Sequence, residues 1–325
     1  MADRGFHLAL FATLLALLVL LLGAWTRLTH AGLGCPDWPG CYGFATVPSG
    51  ALQQALAQSR FPQAVLEADK GWYEMIHRYG AALLGLSIGL LMLQAWARGQ
   101  GLRLPLLLLG LVIAQALLGM WTVTLRLWPP VVTLHLLGAV AILGLLLVLT
   151  LRLSGVGAPV IRSSVLLRGL ALLALMLAVL QIGLGGWVST HYAAHVCPDL
   201  PTCQGQWWPP NDFAAGFDLS LPVGPNYLGG MLDGEARTAI HLAHRLGALL
   251  LGLVVLGLAW RLVRAGLSGL GAVLLLLLLA QLGLGMGNVL LQFPVWLALA
   301  HSAGGALLML WLTLVNYRLW QAAGD

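Results

Sequence analysis

Long apolar runs alternate with polar connections along the chain. The runs cover roughly 6–26, 74–96, 103–124, 131–151, 165–187, 239–262, 269–290 and 295–317. Each is about 20 residues, the length a helix needs to cross ~30 Å of hydrocarbon. Two long polar stretches, about 27–73 and about 188–238, separate some of them. The other connections are short. The pattern predicts an all-α polytopic membrane protein with eight transmembrane helices. The first run, from about Leu8 to Trp25, exceeds a signal-peptide apolar core and is followed by no clean small-residue cleavage site, so it is expected to remain as a helix. Within the first polar stretch, Ser49–Ser59 reads as an amphipathic helix that would lie on the outer membrane surface as a lid.

Composition agrees. Of 325 residues, 60% are hydrophobic and 8% charged, and the mean hydropathy is +0.90. A soluble domain carries about 25% charged residues. The net charge of +5 comes from scattered basic residues, which excludes a nucleic-acid-binding stripe. Their placement sets orientation instead. Arg4, Arg98, Arg103, Arg152, Arg162, Arg168, Arg261, Arg264 and Arg318 fall at one set of span ends. That face is predicted to be cytoplasmic, with both termini on it. Nine of the 11 acidic residues fall at or near the other face, which holds both long loops. This places the chain in a cell membrane, expected to be an inner membrane, with the cysteine loops outside.

The chain repeats itself. Cys35-Pro-Asp-Trp-Pro-Gly-Cys41 recurs as Cys197-Pro-Asp-Leu-Pro-Thr-Cys203, and Trp25 as Trp187, both 162 residues on. Ile76-His77-Arg78 recurs as Ala243-His244-Arg245 at an offset of 167. Gln115–Gly119 recurs as Gln281–Gly285, and His135–Ala139 as His301–Gly305, at 166. Two tandem four-helix repeats are predicted, 1–153 and 165–325, joined by a cytoplasmic linker at 154–164. Four spans per repeat is an even number, so the repeats are parallel, related by an axis near the membrane normal. Most of the 41 glycines fall inside spans, where they let backbones or a flat ligand approach closely.

Of nine histidines, His7, His30, His191 and His195 lie at span ends or in loops, and His241 lies at a span mouth. His77, His135, His244 and His301 each sit four to six residues into an even-numbered span. At 1.5 Å per residue all four lie ~6–9 Å below the outer boundary. Ionisable groups inside a membrane face the bundle interior and mark function. Two imidazoles at matched depth can ligate a heme iron from both sides. A zinc or copper site, or histidines bonded to backbone carbonyls, are the alternatives. Arg78 and Arg245 each follow a histidine; they can hold heme propionates or snorkel to lipid phosphate.

The repeats differ three residues before the first histidine. Repeat one has Glu74, repeat two His241. Residues three apart share a helix face, so Glu74 is expected to point toward the His77 site as an acid, base or cation stabiliser. Pairing with Arg78, four residues on, is the structural alternative. Cys35, Cys41, Cys197 and Cys203 are read as two intraloop disulfides in an oxidising outer compartment. A metal site of Cys197, Cys203 and His195, or a redox-active pair, stays open.

Taken together, Thr26-Arg27-Leu28-Thr29, Gly32–Cys41, Glu74-x-x-His77-Arg78, His135, His244-Arg245 and His301 resemble the heme A synthase family over essentially the whole chain. The resemblance implies oxidation of the C8 methyl of heme O to a formyl group, through a hydroxymethyl intermediate. It implies a resident heme b on His244 and His301, substrate heme on His77 and His135, and Glu74 as the essential glutamate. It implies subgroup-specific cysteine pairs, a heme O synthase upstream and cytochrome oxidase assembly downstream. The electron donor and oligomeric state, homo-oligomer included, are left open. Rival readings are a diheme electron-transfer cytochrome b, a heme transporter or chaperone, and a thiol oxidoreductase.

Overall fold

The computed structural model describes residues 5–155 and 163–321. Arg4, Arg162, both chain ends and most of the expected linker lie outside the described residues. Eight helices are long and apolar enough to cross a membrane. They are α1 (Phe6–Leu28), α3 (Ala68–Ala97), α4 (Arg103–Thr124), α5 (Pro129–Leu153), α6 (Val165–Thr190), α8 (Gly234–Arg264), α9 (Ser268–Leu290) and α10 (Val295–Gln321). Two shorter helices, α2 (Ala51–Arg60) and α7 (Phe213–Gly216), and a 3-10 turn at Ala194–Val196 lie in the long loops. Among the described residues there is no strand, only isolated bridges at Cys41–Phe44 and Cys203–Gln206. The protein is an all-α polytopic membrane protein.

Local chemistry sets the helix ends. The pair Pro129-Pro130 opens α5, where a missing N–H costs nothing. Ser164 accepts from the Leu167 amide at 3.2 Å and Asp233 from the Ala236 amide at 2.9 Å, capping α6 and α8. Helices α3 and α8 begin five to six residues earlier than their apolar runs. A hydropathy pattern stops at the first charged residues, whereas Asp69 and Glu235 suit a first helical turn, where they complement the dipole. The expected amphipathic helix is α2. It inserts Ala57 into a small cluster with Cys35, Cys41, Tyr42, Val47 and Met75, so it packs on the first cysteine loop.

The packing has a regular plan. Within the first four spans α1 touches α3 and α5, α3 touches α4, and α4 touches α5. Within the last four, α6 touches α8 and α10, α8 touches α9, and α9 touches α10. Across the middle, α1 meets α10, α5 meets α6, and α5 meets α10. Two apolar cores result, one around Ile88, Leu108, Leu143 and Leu146, the other around Val255, Leu258, Leu274 and Leu312. Interhelical hydrogen bonds supplement them. The Thr13 and Thr150 hydroxyls lie 2.9 Å apart, and Asn316 donates to Ala171 O at 2.9 Å. Outward-facing leucines such as Leu86, Leu249 and Leu253 stay exposed, as lipid-facing positions do.

All long loops gather at one end. Tyr227 N donates to Arg126 O at 3.1 Å, Trp128 donates to Leu221 O at 3.2 Å, and the His195 and Phe293 rings meet at 4.9 Å. Among the described residues the opposite end carries Arg98, Arg103, Arg152, Arg168, Arg261, Arg264 and Arg318 and no acid.

Candidate functional site

His77 and His135 come together from α3 and α5, and His244 and His301 from α8 and α10. Ring centroids are 6.5 Å apart in both pairs, with interplanar angles of 82° and 73°. Each ring lies against a glycine of the preceding long helix. A Cβ added at Gly23, Gly119, Gly185 or Gly285 would stand 3.0, 3.2, 3.3 or 3.1 Å from the Cε1 of His77, His135, His244 or His301. The imidazoles therefore reach their positions only because those four places carry no side chain.

The separation suits one metal atom between two rings. An imidazole–metal bond is about 2.0 Å and the ring centre lies about 1.2 Å behind the nitrogen, so axial imidazoles place their centres about 6.4 Å apart. His77 Nδ1 lies 3.1 Å from Val19 O, a partner that leaves Nε2 free as a ligand. The Nδ1 atoms of His135 and His301 are buried without a partner, which a ligand on the ring's other nitrogen would leave unchanged. The residues fit a heme iron. Among the described residues no three His, Cys, Asp or Glu side chains form a metal cluster, which counts against a zinc or copper site built from all four.

Glu74 is buried, 4% exposed. Its Oε1 accepts from Arg78 Nη2 at 2.6 Å and its Oε2 from the Cys35 amide at 2.9 Å. The helix pairing with Arg78 is thus formed, and the carboxylate also ties α3 to the first cysteine loop. His241 occupies the equivalent place in α8, buried and 2.9 Å from Ala193 O through Nδ1. Both arginines are engaged by loop carbonyls. Arg78 Nη1 donates to Pro39 O at 3.2 Å and to Gly40 O. Arg245 donates to Thr202 O at 2.8 Å, Asp199 O at 2.9 Å and Cys197 O at 3.3 Å.

Both loops are closed by disulfides, Cys35–Cys41 and Cys197–Cys203. The sulfurs bond each other, which leaves no thiolate for a metal beside His195. In each loop an aspartate two residues past the first cysteine folds back to cap the turn after the second. Asp37 accepts from the Tyr42 and Gly43 amides at 2.6 and 2.7 Å. Asp199 accepts from the Gln204 and Gly205 amides at 2.6 and 3.0 Å and from the Thr202 hydroxyl. These bonds hold the Asp199 carboxyl below its ordinary range, the Thr202 hydroxyl most strongly.

At the ends of α1 and α6, Arg27 donates to Tyr192 OH at 2.8 Å and Ser189 O at 2.6 Å. The His30 and Tyr192 rings stack at 5.5 Å and 6°. This contact was not expected from sequence, because a repeat offset identifies equivalent residues without saying which of them touch.

Residues 6–313 match the family model described as COX15-CtaA, cytochrome oxidase assembly protein. The chain belongs to this family. The stretch of the cytochrome oxidase assembly family that it matches contains all four histidines, Glu74 and both disulfides. The chain is 44% identical over 314 residues, 95% of its length and 94% of the relative's, to the heme A synthase of Shewanella oneidensis. It is 30% identical over 342 residues to that of Beijerinckia indica, covering 95% of this chain and 92% of the relative. With the heme A synthase of Methylobacterium radiotolerans it shares 33% identity over 161 residues, 49% of this chain and 41% of the relative.

Proposed function

We propose that this protein is a heme A synthase, oxidising the C8 methyl of heme O to a formyl group by way of the hydroxymethyl. The observation that carries the reading is the geometry of the two histidine pairs. Each holds two glycine-backed rings with centroids 6.5 Å apart, in a chain similar over almost its full length to heme A synthases. His77 and His135 receive the substrate heme, and His244 and His301 hold a resident heme b. Bound there, heme b would supply one-electron redox chemistry.

The chain's own residues divide the work. The histidines fix the substrate ring by its iron, which leaves its edge methyl at a set place against the helices. Glu74 belongs to the substrate half alone, is buried, and lies one turn from His77. It holds or accepts a proton, or stabilises positive charge, as the methyl carbon is oxidised. Its contacts with Arg78 and the Cys35 amide hold the carboxyl in place against the first cysteine loop.

The matched packing plan and the matched loops support two tandem four-helix repeats, 1–153 and 165–325. The arginine-rich end supports a cytoplasmic position for it, with the loop end outside the inner membrane. Heme O comes from a heme O synthase and the product goes to cytochrome oxidase assembly. A transmembrane electron-transfer cytochrome is disfavoured because both pairs lie toward the loop end, which leaves no heme near the other face.

The test is co-expression with a heme O synthase, purification, acid-acetone extraction and identification of the hemes by mass. Heme b together with hydroxylated heme or heme A is expected. Heme b alone would favour a cytochrome, and absence of heme would overturn the ligand assignment.

A further inference from the structure

The four histidines share a second packing feature. In the helix pairs α1–α3, α4–α5, α6–α8 and α9–α10, the first helix supplies the glycine beneath the ring. Three residues past each histidine comes another glycine: Gly80, Gly138, Gly247 and Gly304. Four residues before each ring-backing glycine stands the side chain that fills the notch it leaves: Val19, Gln115, Gln181 and Gln281.

In three pairs that side chain is an amide. A Cβ at Gly138 would lie 2.5 Å from Gln115 Oε1, and one at Gly247 or Gly304 would collide with Gln181 or Gln281 Oε1. The amide nitrogens reach the histidines. Gln115 donates to His135 O at 2.5 Å, and Gln181 donates to His244 O at 2.8 Å while lying 3.0 Å from its Nδ1. Gln281 Nε2 lies 3.4 Å from His301 Nε2, the nitrogen left for iron, so it fills its notch without tying α10. In the α1–α3 pair the notch is filled by Val19, whose Cγ2 lies 3.1 Å from the Cβ position of Gly80. The His77 ring bonds the Val19 backbone carbonyl, which any residue at that place supplies. What position 19 lacks is the amide that would tie α3.

We infer that Gln115 and Gln181 are positioning residues that lock α5 and α8 onto their glycine-backed partners, and that Val19, 162 residues before Gln181 and at the equivalent place, leaves α3 without such a lock. This rests on the heme ligation proposed above. A polar amide buried among apolar helices gives up its partner at a cost, so each lock resists separation of the two rings. In the second pair the helix of the first histidine, α8, is locked, as a resident group requires. In the first pair its counterpart α3 is not, as a site that must load and release its substrate requires. The missing lock falls in the hairpin that carries Glu74.

The test uses full-length protein purified in detergent and loaded with heme, and follows heme transfer to apomyoglobin together with the low-spin absorption of each site. His244→Ala together with His301→Ala in the background confines bound heme to the first pair. Val19→Gln is expected to slow transfer from that pair about ten-fold, the scale of one interhelical hydrogen bond, and Gln115→Val to speed it by a similar factor. In the second pair, Gln181→Met keeps the side-chain volume but removes the donor, and is expected to lose heme faster and gain high-spin character. An unchanged or faster rate in Val19→Gln overturns the inference, as does a Gln181→Met protein indistinguishable from wild type. If Val19→Gln does not fold, Gln115→Val decides alone. Absence of heme from the unmodified protein is a different result, and sinks the ligand assignment itself.

Discussion

A ring set on a glycine must shift by a few tenths of an ångström to admit an added methyl. Gly285→Ala would press its Cβ to 3.1 Å from His301 Cε1, whereas Gly283, two residues away, faces open space. Gly285→Ala is expected to lose low-spin heme at the second site and to cost about 1–3 kcal/mol of stability. Gly283→Ala is expected to keep the spectrum. Glu74→Gln retains shape but not charge, so it is expected to leave heme binding intact and abolish methyl oxidation, seen as heme O persisting in the extract. A third residue responds to pH. His191, just past α6, is 1% exposed, and burial, then Arg237 and Arg27, push its pKa down to about 4. An unfolded chain titrates near ~6.5. Between these values the unfolded state takes up a proton that the folded state refuses, so stability held at pH 7 is lost as pH falls from about 6.5 toward 4. The thermal midpoint should drop over that range, and drop less in His191→Gln. The histidine pairs were legible in sequence because their type is rare in a span. The glutamines were half legible: Gln115 and Gln281 recur at a constant offset, but only the structure puts Gln181 in the same notch.

At the scale of elements, the two cysteine loops are built alike, each from a disulfide, an aspartate cap and an arginine one turn or more inside the following helix. Arg245 anchors three loop carbonyls. Its replacement by Ala leaves those carbonyls without their charged donor, and a loss of about 2–3 kcal/mol is expected. Faster reduction of Cys197–Cys203 by added thiol is the measurement, with Cys35–Cys41 as the internal control. The helices themselves were legible from hydropathy, and their true starts were not. Asp69 and Glu235 look like loop residues to a hydropathy scale, yet a first turn accommodates them. Arg78 and Arg245 were read beside heme because they follow histidines. Sequence adjacency does not reveal that a loop 38 to 48 residues upstream presents its carbonyls to the same guanidinium.

At the scale of the molecule, the halves meet at Arg27 and Tyr192, and at His30 stacked on Tyr192. His30 and Tyr192 stand 162 residues apart, the same offset that relates the cysteine loops. In the proposed two-repeat arrangement, a residue that touches its own counterpart lies near the axis relating the copies. Tyr192→Phe is expected to cost about 1 kcal/mol by losing the hydroxyl's bond, and Arg27→Ala more, both read as a lower thermal midpoint in detergent. The recurring glycine–histidine hairpin has a consequence for how the protein meets a scarce ligand. One hairpin offers a single imidazole, which is half a coordination sphere. Separate hairpins would assemble a whole one only at high copy number. Fused in one chain, the two hairpins of each proposed site face each other at an effective concentration on the order of millimolar, whatever the expression level, so under that ligation a handful of molecules per cell can still capture a trace pigment.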